Sequence, residues 1–102
     1  MDGPSFFPEA IRAIAAGLRE GGYAHPRLNR AEAAIDHLGR QLHGLGYVRS
    51  GEIADSFTAA LGELSAAHPL PEEQRGTAVH RAVVHLEAAL EATAAGILPA
   101  AS

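Results

Sequence analysis

Six histidines, eight arginines and twelve aspartates and glutamates carry whatever chemistry this 102-residue chain performs, because it has no cysteine, no lysine and no tryptophan. Without cysteine there is no disulfide, no thiolate metal site, no thiol nucleophile and no covalently tethered haem. Without lysine there is no phosphate-loop lysine, no Schiff base and no ammonium general base. Every formal positive side-chain charge is a guanidinium, which does not switch off at accessible pH.

The histidines invite a metal reading, but their spacing argues against one. A di-iron bundle needs Glu-x-x-His on its helices, and no such tetrad occurs here. No two histidines stand four apart, so the helical zinc-protease pattern is absent too. Asp36 with His43, and His80 with Glu87, are each seven apart, which on a helix is about 10 Å and too far for one ion unless another helix contributes. His80, Glu87 and Glu91 share one flank, and Glu32, Asp36 and His43 share another. If those flanks meet, His43, His80 and Glu87 are the groups that would hold an ion or a small ligand. Otherwise no metal and no cofactor is expected.

A second pattern pairs cation with base. Arg75-Gly-Thr-Ala-Val-His80 separates arginine and histidine by four residues, and Arg30 and His37 by six. The spacing resembles the Arg-x(4–6)-His motif of HEPN-type RNases, small all-helical domains that usually act as dimers. The resemblance covers six residues, and Gly76 stands where that family often has a polar residue. It implies Arg75 on an RNA phosphate and His80 moving a proton from a 2′-hydroxyl, roles that suit a guanidinium and an imidazole. Anions have a further opening at two helix starts, where free N–H groups favour negative charge: Arg27 and Arg30 crowd one, and Arg49 the other. The formal net charge of −4 points away from nucleic acid as a general partner.

The elements that must position these groups are helices. Apolar residues recur at helical spacing throughout, and no stretch alternates like a strand. One stripe is Phe7, Ile11, Ile14 and Leu18, from about Pro8 to Gly21. The next is Leu28, Ala31, Ile35, Leu38, Leu42 and Leu45, on a helix from about Arg30 whose start reads as a capping box, Asn29 with Glu32. A third, after Ser50, is Ile53, Phe57, Ala60, Leu61 and Leu64; His68-Pro69 stops it. The fourth begins near Pro71 with Val79, Val83, Leu86, Leu90 and Ile97. Leu18-x-x-x-Gly22-Tyr23 and Leu42-x-x-x-Gly46-Tyr47 read as helix stops with a left-handed glycine.

Short connections favour antiparallel neighbours. The expected fold is all-α, one domain over 1–102: an antiparallel up-down four-helix bundle with a longer C-terminal helix. That last helix, at ~24 residues, would span ~36 Å and overhang the first. Small residues on the back of helices 3 and 4 (Ala59, Ala66, Ala88, Ala92 and Ala95), with Ile97 and Leu98 beyond, mark the expected interface.

No motif singles out a reaction. The composition fits a small non-enzymatic interaction or accessory protein acting through exposed helix faces, with a second copy or another protein as its partner. An RNase using Arg75 and His80, and a ligand- or metal-binding bundle, are the alternatives. No apolar run approaches the roughly 20 residues that cross a membrane, and Met1 to Pro8 have no basic leader, so a cytoplasmic location is expected. Richness in Ala, Arg and Gly without Lys suggests a GC-rich bacterial genome.

Overall fold

The computed structural model describes residues 3–98, with side chains from residue 6 onward. Met1 and Asp2, on which the leader expectation partly rests, lie outside the described residues. The described residues form four α-helices: α1 (Gly3–Arg19), α2 (His25–Leu42), α3 (Ser50–Ala67) and α4 (Gly76–Thr93). A single 3-10 turn, Glu72–Gln74, precedes α4. Among the described residues no helix is long and apolar enough to cross a membrane.

The stripes read from the sequence are the buried faces. Leu28, Ala31, Ile35, Leu38 and Leu42 face inward on α2, and Ile53, Phe57, Ala60, Leu64 and Ala67 on α3. Phe7, Ile11, Ala15 and Leu18 do so on α1. On α4 the face is wider, because Ala78, Ala82 and Ala89 flank Val79, Val83 and Leu86. That width matches its position, since α4 packs on both α3 and α1. One continuous apolar core results. The packing of α3 on α4 is the most extensive, and that of α1 on α2 the slightest of the four neighbouring pairs.

Contacts join separate elements at the two ends of the bundle. At one end, the start of α1 meets the α2–α3 connection through the Phe7 and Tyr47 rings, 5.3 Å apart. The end of α4 meets the same connection through an isolated antiparallel bridge, Tyr47 with Ile97. At the other end, the α1–α2 connection, the end of α3 and the start of α4 meet through Arg75.

Three expectations about the elements need correction. The C-terminal helix is not the long one: at 18 residues α4 equals α2 and α3. Pro71 is extended at ψ 146°, the next residues close a 3-10 turn, and Gly96 at φ +92° turns the chain back after α4. The overhang inferred from the sequence therefore does not arise. α2 starts a turn early, at His25, with Pro26 in the first turn where its missing N–H costs nothing. Glu32, freed from the expected capping box, accepts a hydrogen bond from α3 instead. α1 likewise begins ahead of Pro8, and the added turn carries Phe7, which is fully buried.

Gly22 and Gly46 both have positive φ, +79° and +70°, as the two stops predict. At Gly46 the reason is tertiary as well as local. Leu98 donates its backbone N–H to the Gly46 carbonyl at 2.8 Å, and Val48 donates to the Gly96 carbonyl at 2.9 Å. These two bonds clamp Tyr47 against the core, and burial raises its hydroxyl pKa above 10.0.

Candidate functional site

Arg75 sits at the junction of the 3-10 turn and α4, and its side chain runs under the end of α3. It is 6% exposed, one of two buried polar residues among those described. Its Nε donates to the carbonyls of Ala67 (3.1 Å) and Leu70 (3.0 Å). Nη2 donates to the carbonyl of His68 (3.2 Å), and Nη1 to that of Tyr23 in the α1–α2 connection (2.6 Å). The last carbonyls of a helix have no partner within the helix, and a cation there also meets the negative end of the helix dipole. Arg75 is thus a side-chain cap for α3, supplied from the start of α4. Tyr23 closes over the junction: a Cβ on Gly76 would lie 3.6 Å from its ring.

A polar chain extends from that guanidinium. Arg75 Nη2 is 3.0 Å from His25 Nε2, His25 Nδ1 is 2.8 Å from His68 Nδ1, and His68 Nε2 is 3.1 Å from Glu32 Oε1. The two imidazole planes lie within 6° of parallel, with centroids 5.0 Å apart. Parallel planes whose nitrogens are 2.8 Å apart cannot be separated by more than that. Most of the centroid distance is therefore sideways, and the rings meet edge to edge rather than face to face.

The direction of every proton in the chain follows from its two ends. A guanidinium only donates and a carboxylate only accepts. His25 Nε2 must therefore accept from Arg75, which leaves its proton on Nδ1. That proton goes to His68 Nδ1, which leaves the His68 proton on Nε2, facing Glu32. Nitrogen-15 NMR of the imidazoles is expected to find His25 as the Nδ1–H tautomer and His68 as the Nε2–H tautomer at neutral pH. The reverse pattern for either ring would break the chain as drawn.

The site residues read from the sequence fall elsewhere. Arg75 and His80 are not brought together: the guanidinium is enclosed and engaged at all three nitrogens, and His80 is exposed on α4. His43, His80 and Glu87 do not converge either. His43 follows the last residue of α2, and Glu87 forms an ion pair with Arg19 of α1. No group of three histidines or carboxylates among the described residues is set to hold a metal ion. Arg49 lies 3.6 Å from Glu52, one turn along. Arg27 crosses to α1 and donates to the Gly17 carbonyl at 2.9 Å. Arg30 is exposed and makes no ion pair among the described residues.

The expected interface alanines divide. Ala92 is buried in the core, which removes it from any outer face. Close helix approach through alanine is used inside the chain instead: Ala60 and Ala67 of α3 and Ala82 and Ala89 of α4 are fully buried, in the pair with the most extensive packing. Ala66, Ala88 and Ala95 are exposed, and Ala59 is half-buried.

What the sequence stripes did not mark is an apolar end. The large hydrophobics left exposed among the described residues are Phe6, Val48, Leu70, Val84 and Leu98. Three of them lie at the Tyr47–Ile97 end. In the bridge, Tyr47 faces inward and Ile97 packs against the core, so their neighbours Val48 and Leu98 share the opposite, outward face. Phe6 precedes the Phe7 ring that packs on Tyr47. Phe6 is 60%, Val48 51% and Leu98 59% exposed.

No protein-family model, curated protein or solved structure matches this chain.

Proposed function

We propose that the chain is a small non-enzymatic interaction module that docks through the Phe6–Val48–Leu98 end of its bundle, with a second copy of itself as the partner. The observation that carries this reading is that three large side chains, each more than half exposed, are placed at the same end of the bundle. Single exposed apolar residues are ordinary, whereas contiguous ones are a cost in water that burial against a partner removes. Half-buried Ile97 and exposed Ala95 adjoin the same end. The placement of Arg75 supports the non-enzymatic part, because this cation, the one buried among the described residues, is occupied in holding the α1–α2 and α3–α4 connections together. The role needs no cofactor. A cytoplasmic, bacterial setting belongs to the proposal on composition alone.

Three side chains are far fewer than the roughly 20–30 residues a side of a standard interface, so the self-association is expected to be weak. Sedimentation velocity from about 10 µM to 1 mM is expected to show a concentration-dependent rise in mass. Val48→Glu with Leu98→Glu is expected to abolish it, and Val84→Glu, on the exposed face of α4, to leave it intact. A parent chain that stays monomeric throughout, or a Val84→Glu variant that loses the dimer equally, would sink the end-patch reading.

A further inference from the structure

Among the described residues, shallow grooves run between α1 and α4, between α2 and α3 and between α1 and α2, and they differ in the charges that border them. The α1–α4 groove is bordered by Arg19 and Glu87, which pair with each other, and by a single further cation, Arg12. The α2–α3 groove is bordered by Asp36 and Arg40, paired at 2.9 Å. The α1–α2 groove, of about 330 Å³, is bordered by Arg27 and Arg30, and no carboxylate among the described residues pairs with either.

We propose that the α1–α2 groove binds a small apolar monocarboxylate, with its charged head at Arg27 and Arg30 and its tail running toward Ala13 and Ala34. The groove exists because small residues face each other there: Ala13 and Gly17 on α1, Ala31 and Ala34 on α2. This pair of helices also makes the slightest contact of the four neighbouring pairs. Its volume is at the small end of the range for organic ligands, and its wall is mostly apolar, as such sites are.

The polarity along the groove sets the orientation. Arg27 and Arg30 belong to the first turns of α2 and Glu20 follows the end of α1, so all three charges lie at the α1–α2 connection. Ala13 and Ala34 lie further from that connection on each helix. Arg27 is already folded across, donating Nη1–H to the Gly17 carbonyl, which leaves its remaining N–H groups and all of Arg30 to meet a carboxylate. A guanidinium matches a carboxylate in shape as well as in charge. Glu20 on the same rim disfavours a second negative charge, so the preferred ligand is a monoanion. This inference does not depend on the end patch, which lies at the opposite end of the bundle.

Isothermal titration of the full chain with sodium octanoate tests it. One saturable site is expected, with a Kd on the order of 0.1–1 mM for a ligand of this size. Octylamine should give no binding, and 1-octanol should bind about tenfold more weakly than octanoate. Arg30→Gln should weaken octanoate about five- to tenfold while leaving the melting temperature unchanged, because Arg30 makes no contact that the fold uses. Ala34→Leu, which fills the apolar end, should weaken octanoate and octanol alike. The proposal is overturned if octanoate shows no saturation by about 10 mM, if octanol binds as tightly as octanoate, or if folded Arg30→Gln binds octanoate as the parent does.

Discussion

Arg75→Ala is expected to be the most damaging substitution of any polar residue in this chain, lowering the free energy of unfolding by about 3–4 kcal/mol. The reason is the number of groups it leaves behind. Carbonyls of Ala67, His68 and Leu70 at the end of α3, the carbonyl of Tyr23 and the Nε2 of His25 would all lose their donor. A buried group stripped of its partner carries about 1–3 kcal/mol of desolvation cost; water entering the vacated space returns part of that, which keeps the sum below a simple addition. For a domain of this length the loss corresponds to roughly 15–25 °C in Tm. Arg75→Lys should recover little, because one ammonium cannot span carbonyls on two connections as a planar fork does. Urea unfolding followed by circular dichroism measures it. A loss under about 1 kcal/mol for Arg75→Ala would show that the cap is not what holds α3, α4 and the α1–α2 connection together.

Phe7→Ala should cost about as much, 3–5 kcal/mol, by a different route. Phe7 is fully buried, with its ring 5.3 Å from Tyr47 and 6.0 Å from Phe57. It is the wedge that joins the first turn of α1 to the α2–α3 connection and to α3. Truncation removes the transfer energy of the ring and leaves a cavity that three separate elements would have to move to fill. It should also loosen the end on which Phe6, Val48 and Leu98 are displayed. Phe7→Leu, which keeps most of the volume, should cost about 1–2 kcal/mol. A Phe7→Ala loss no larger than that of Phe7→Leu would mean the first turn of α1 is not anchored by this ring.

The two substitutions show where reading the sequence succeeds and where it stops. Phe7 was legible as part of a stripe with Ile11 and Leu18, because period is a property of the chain alone. Arg75 was legible only as a cation five residues before His80, and its spacing suggested catalysis. Its actual partners lie between 5 and 52 residues away along the chain, and no spacing rule reaches across that distance. Glu32 misled in the same way: three residues after Asn29 it looks like half of a capping box, yet its carboxylate partners His68, 36 residues on.

The sequence by itself determined that this is an all-α chain of four amphipathic helices, which of their faces are buried, that Gly22 and Gly46 take left-handed backbone after the first two, and which cysteine and lysine chemistries it lacks. Those follow from local periodicity, backbone sterics and composition, which do not depend on what packs where. Only the tertiary structure decided the length of α4, the placement of Arg75 as a cap on α3, the Arg75–His25–His68–Glu32 proton order, and the exposure of Phe6, Val48 and Leu98 at one end. Each of those turns on groups far apart in the chain meeting at a few ångströms. There the need to satisfy every buried donor and acceptor overrides what neighbouring residues prefer.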